Sequence, residues 1–128
     1  MNTTTTTAPL YEVKLYLGSV ESERSVSDPV LKEWLVSAIG VFQEGYEGTT
    51  VPVRITDTTF VSETHYSEDG WEVAAISYPR TNHTHKQTLD FMLALGQHLL
   101  GVFGQSRICV LDLRAQHQMF GRVYMLEN

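Results

Sequence analysis

The stretch Tyr78-Pro79-Arg80-Thr81-Asn82-His83-Thr84-His85-Lys86 is the most informative in the chain. It falls between the end of an alternating apolar run and the start of a helical one. The first N–H groups of a helix have no partner inside it, and the helix dipole turns its positive end toward them, so an anion is accommodated there. Arg80 and Lys86 add charge, and Thr81, Asn82 and Thr84 add neutral donors. Tyr78 offers a ring on which a base can stack. A helix cap alone would use one of the polar residues and would explain neither cation. The cluster therefore reads as a candidate phosphate or nucleotide site.

Arg107 and Arg114 bracket an apolar strand later in the chain. Arg107, at the strand entrance, is placed to fork onto a phosphate or stack on a base, and it joins the candidate ligand-binding residues. Asp112 stands two residues before Arg114, on the same face of a regular strand, and an ion pair between them is expected. His83 and His85 are two apart with no adjacent acid, and His65, His98 and His117 are scattered. Zinc needs three or four converging groups, so neither a metal nor a cofactor is expected. Cys109 lies within the apolar strand, where a thiol is usually inert. Gly101-Val102-Phe103-Gly104 follows a helix and reads as its stop, not as a phosphate loop. No catalytic residue is assigned. An acid–base enzyme built on His83 or His85 has no visible second member.

The elements that must position these residues are legible from periodicity. Tyr11, Val13, Leu15 and Leu17 alternate with polar neighbours, the pattern of a half-buried strand. Asp28 and Pro29 read as a helix start, and Leu31, Trp34, Leu35, Ala38, Ile39 and Phe42 recur at helical spacing, predicting a helix over 29–43. Thr49 to Ile55 contains Pro52 and reads as an edge or interrupted strand. Thr58 to Tyr66 and Trp71 to Tyr78 read as a hairpin around a turn at Ser67-Glu68-Asp69-Gly70. Leu89, Met92, Leu93, Gly96, Leu99, Leu100 and Phe103 predict a second helix. Ile108-Cys109-Val110-Leu111 reads as a strand buried on both faces. Gln116 to Gln118 reads as a turn, and Val123 to Leu126 as a short final strand.

This order predicts an α+β fold with a ferredoxin-like antiparallel sheet (βαββαβ) and two helices packed on one face. Residues 1–9, with five threonines in a row, read as a frayed leader, and residues 10–128 as one domain. One face of such a sheet is left bare, and a homodimer or higher oligomer is expected to cover it. The net charge is −6, opposite to that of a duplex-DNA binder. Residues 1–78 carry four basic against twelve acidic side chains, and residues 79–128 carry five against three, consistent with a local anion site on an acidic body. No apolar run approaches a membrane span, and no signal peptide is apparent, so a cytoplasmic location is expected.

Lys14-Leu15-Tyr16-Leu17-Gly18, a Trp-containing helix, Gly48-Thr49-Thr50-Val51 and Val102-Phe103-Gly104-Gln105-Ser106 resemble a small uncharacterised family with a ferredoxin-like fold. The chain is similar, more loosely, to the phage Thoeris anti-defence proteins that sequester cyclic ADP-ribose signals. The resemblance covers roughly residues 11–114. It implies a compact oligomer that binds a nucleotide-like messenger without turning it over, in the host cytoplasm, with Tyr78, Arg80, Asn82 and Arg107 as the corresponding contacts. The expected function is thus a non-catalytic sponge for a nucleotide-type immune signal, cyclic ADP-ribose or a cyclic oligonucleotide. The alternative is a small dimeric enzyme using a histidine near residues 83–85 on a nucleotide or acidic substrate.

Overall fold

A computed structural model describes residues 3, 5, 11–18, 30–63, 66–76, 83–114 and 121–127. Strand β1 (Tyr11–Gly18) is followed by helix α1 (Lys32–Gly45), strands β2 (Arg54–Glu63) and β3 (Tyr66–Ile76), helix α2 (His85–Val102), and strands β4 (Arg107–Arg114) and β5 (Arg122–Glu127). The strands form one sheet in the order β2-β3-β1-β4-β5, and every neighbouring pair is antiparallel. The first six elements follow the expected βαββαβ order, and β5 adds an edge beside β4. The fold is α+β. No helix among the described residues is long and apolar enough to cross a membrane.

Strand β1 lies at the centre, paired with β3 on one side and β4 on the other. Tyr11, Val13, Leu15 and Leu17 are all buried on the helix-covered face. They join Leu35 and Ile39 of α1, Phe91, Met92, Leu95 and Leu99 of α2, and Ile108 and Val110 of β4 in one core. Helix α2 ends as its sequence directs. Gly104 adopts φ +60°, its N–H donates to the Gly101 carbonyl, and the Gln105 N–H donates to the Leu100 carbonyl. That pair of reverse bonds satisfies carbonyls the last turn would leave open. The indole Nε1–H of Trp71 donates to the Val30 carbonyl at 2.8 Å, tying the approach to α1 onto β3.

Several expectations change. Ser67 to Gly70 do not turn: they are strand, paired with Val61 to Thr58. The chain reverses between Glu63 and Tyr66 instead. At Gly70 the strand requires a glycine, because a Cβ there would lie 2.5 Å from the Leu17 carbonyl oxygen on β1. Helix α1 starts at Lys32, and Asp28 and Pro29 lie outside the described residues. Trp34, expected in the core, is 49% exposed, because Leu35 and Ile39 carry the buried stripe. Strand β4 is buried on one face only: Ile108, Val110 and Asp112 point inward and Cys109 and Leu111 are half-buried. The segment 116–118 lies outside the described residues.

Candidate functional site

The opening turn of α2 is held by a capping box. Thr84 occupies the N-cap in extended backbone, and its hydroxyl oxygen accepts from the Gln87 N–H at 3.1 Å. The Gln87 side-chain oxygen accepts in return from the Thr84 N–H at 2.9 Å. Two of the helix's orphan donors are satisfied in this way. Thr88, one turn on, donates its hydroxyl to the Thr84 carbonyl at 3.0 Å.

Tyr11, the first residue of β1, reaches up to the same turn. Its hydroxyl donates to the His83 carbonyl at 2.9 Å and lies 3.1 Å from the Thr88 hydroxyl. Two hydroxyl protons thus serve three contacts, and the Tyr11–Thr88 contact draws on one of them in exchange with a carbonyl. The Tyr11 ring meets the His85 ring edge-on, with centroids 5.3 Å apart.

His85 is the first residue of α2, and its Nε2 lies 2.7 Å from Oδ1 of Asp112 on β4. Asp112 is 4% exposed. Burial of a carboxylate is costly unless it is paired, and the imidazole N–H supplies a short, directed hydrogen bond. The bond also fixes the ring orientation. A carboxylate-oriented imidazole is the arrangement from which general acid–base catalysis is built.

The sequence reading missed this pair. It left His85 without an acid and matched Asp112 with Arg114, whose side chain lies outside the described residues. The available signal was phase: Asp112 shares the inward parity of Ile108 and Val110, so it could not face solvent. Among the described residues no group of three His, Cys, Asp or Glu side chains is arranged to hold a metal.

Of the residues singled out from the sequence, Tyr78, Arg80, Thr81 and Asn82 lie outside the described residues. Thr84 is at the corner, engaged in the capping box. Lys86 is there too, exposed, with its Nζ 2.8 Å from Oδ2 of Asp90 one turn along α2. This exposed pair holds the Lys86 ammonium above its ordinary pKa through its hydrogen bond and charge contact with Asp90. Arg107 is not brought to this corner. It starts β4, five residues before Asp112 and on the opposite face, with Glu127 of β5 as its cross-strand neighbour. Five strand residues span about 17 Å.

The opposite face of the sheet carries a second cluster. The Lys14 Nζ lies 3.5 Å from Glu72 and 3.7 Å from Glu12, and 5.7 Å from the centre of the Tyr16 ring. Arg54 approaches Glu12 at 3.4 Å. Burial would lower the Lys14 pKa, but the Tyr16 oxygen, Glu72 and Glu12 outweigh it and raise it above the ordinary lysine value. Phe60 meets the Tyr16 ring edge-on at 5.3 Å.

No protein-family model matches the chain, and no curated protein matches it. Solved structures do. A phage SAM lyase in complex with S-methyl-5′-thioadenosine superposes with a TM-score of 0.65 at 10% identity, covering 100% of this chain and 97% of that one. A phage SAM lyase in its apo state gives a TM-score of 0.62 at 12% identity, covering 92% and 89%. At such identities the likeness is one of fold: the chain shares, nearly end to end, the architecture of a phage SAM lyase.

Proposed function

We propose that this protein is a phage anti-defence protein that binds S-adenosylmethionine and cleaves it to S-methyl-5′-thioadenosine. The observation that carries the reading is the fold correspondence, which runs almost the full length of both chains and includes a neighbour holding that nucleoside. Two features of this chain support it. The ligand is a sulfonium bearing an amine, and a chain of net charge −6 attracts such a cation at long range. The thioether departs neutral, taking the electron pair of the broken S–C bond, while the substrate's own carboxylate oxygen forms a new C–O bond at the carbon it leaves and closes a five-membered lactone, so the protein has no need to protonate the leaving group. Orientation of the substrate and local charge are then what it must supply.

The α2 corner is where we place the reacting groups. His85, held by Asp112 and flanked by Tyr11, is the oriented polar side chain that would position the substrate there. The test is incubation of purified protein with S-adenosylmethionine, followed by chromatography and mass spectrometry. Formation of S-methyl-5′-thioadenosine, lost in Asp112→Asn and His85→Ala, is the expected result. Recovery of intact substrate at enzyme-excess concentrations would rule the reaction out.

A second reading is favoured by the exposed Lys86 beside the capped first turn of α2. In it the corner, together with Tyr78, Arg80, Thr81, Asn82 and Thr84, sequesters an anionic nucleotide signal without turnover, with Arg107 reaching the ligand only from another copy. Heat release of the messenger unchanged after binding supports this reading, and its conversion to a product excludes it.

A further inference from the structure

We propose that the His85–Asp112 pair gives this protein a second activity, general-base hydrolysis of the five-membered lactone that cleavage of S-adenosylmethionine releases. The choice of substrate rests on the cleavage proposed above. The reacting groups are argued from their own geometry.

Three elements converge to hold one imidazole. His85 opens α2, Asp112 of β4 meets its Nε2 at 2.7 Å, and Tyr11 of β1 sets its ring edge-on at 5.3 Å. The Tyr11 hydroxyl is itself tied to the His83 carbonyl and to Thr88. The His85 side chain keeps 17% of its exposure, so water reaches it, whereas Asp112 keeps 6%. An imidazole oriented by an enclosed carboxylate is suited to taking a proton. Cleavage gives it none to take: the thioether leaves neutral, and the substrate's own carboxylate makes the new C–O bond. The pair is a titratable group that the first reaction does not use.

The released lactone has a step that needs it. This lactone is a cyclic ester, α-amino-γ-butyrolactone, and water opens it by adding to the carbonyl carbon. His85 takes one proton from the attacking water as the new C–O bond forms, and Asp112 stabilises the resulting imidazolium. The former carbonyl oxygen carries the negative charge of the tetrahedral intermediate. The ring C–O bond then breaks, its electron pair stays on the ring oxygen, and the imidazolium returns its proton there. One water is consumed, and the product is the open γ-hydroxy amino acid, whose carboxyl group ionises.

The opening turn of α2 holds a donor for the oxyanion. Its capping box commits the Thr84 and Gln87 N–H groups to side chains. The N–H of Lys86, an exposed residue and the second of the helix, has no carbonyl within the helix to serve. It follows His85 directly in the chain and stands at the positive end of the helix dipole, where developing negative charge is stabilised.

The experiment supplies α-amino-γ-butyrolactone directly to the full chain and follows acid release in a pH-stat, with the buffer rate subtracted. It is repeated in water enriched in heavy oxygen, with mass spectrometry of the product. The expected result is acid release in proportion to protein, with the heavy oxygen in the carboxyl group and none in the hydroxyl. The rate should fall about a hundredfold or more in His85→Ala and in Asp112→Asn. Circular dichroism checks that both variants fold. Added imidazole should restore part of the rate to His85→Ala, which a side chain that only steadies Asp112 would not allow. A parent rate equal to the buffer rate overturns the proposal whatever the variants do, and so does a parent rate that neither substitution lowers. Because the lactone is supplied as such, the two activities are judged separately. Cleavage of S-adenosylmethionine with the lactone accumulating overturns the hydrolysis and leaves the cleavage standing. Ring opening by a chain that leaves S-adenosylmethionine intact supports the hydrolysis and removes the cleavage.

Discussion

His85 and Asp112 are 27 residues apart in sequence and 2.7 Å apart in space, joining the first residue of α2 to the inward face of β4. Asp112 is almost fully enclosed and His85 is partly so. Removal of the imidazole leaves a buried carboxylate short of a partner, so His85→Ala is expected to lower stability by about 1–3 kcal/mol in urea unfolding. Asp112→Asn should cost a similar amount, and the double variant should cost less than the two together. A coupling energy near zero would mean that the two groups are neighbours without being partners.

The capping box makes a graded prediction. Thr84→Ala should destabilise the protein by about 1 kcal/mol, while Thr84→Ser keeps the accepting oxygen and should cost much less. Thr84 also lies in the second functional reading, so thermal unfolding without ligand separates its structural role from any binding role.

Gly70 is required by its neighbour and not by a turn. A methyl group there would sit 2.5 Å from the Leu17 carbonyl oxygen, which is backbone and cannot step aside. Gly70→Ala is therefore expected to cost at least about 1–3 kcal/mol and to disturb pairing of β3 with β1. Loss of hydrogen-exchange protection at Leu17 and Trp71 would report it. An unchanged denaturation midpoint would contradict it.

Lys14 links stability to alkaline pH. Its folded pKa lies above 10.5, because Tyr16, Glu72 and Glu12 outweigh the opposing effect of burial. A raised lysine pKa stabilises the fold fully below the unfolded value, and that contribution disappears as pH rises through the folded value. The stability difference between the parent and Lys14→Met should accordingly be constant near neutral pH and shrink above pH 10.5. The size is on the order of 1 kcal/mol or less, since the ammonium retains solvent contact. A difference that does not change with alkaline pH would assign Lys14 a packing role instead.

What the chain declares locally, it declares well. The alternation from Tyr11 to Leu17 made β1 a half-buried strand, and all four apolar side chains are buried. Thr84 with Gln87 begins α2 and Gly104 ends it, because capping and left-handed termination depend on residues within one turn of each other. The two-layer α+β plan followed from that order of elements. Positions that depend on distant partners were not legible. Ser67 to Gly70 have turn composition, yet pairing with β2 makes them strand. Trp34 has a core residue's character, yet the way α1 sits on the sheet buries Leu35 and Ile39 in its place. The His85–Asp112 pair arises only when α2 crosses back over β1 and β4, which brings together groups that no local spacing connects. Periodicity within a segment sets which face is apolar; the registers between segments decide which polar groups meet on it.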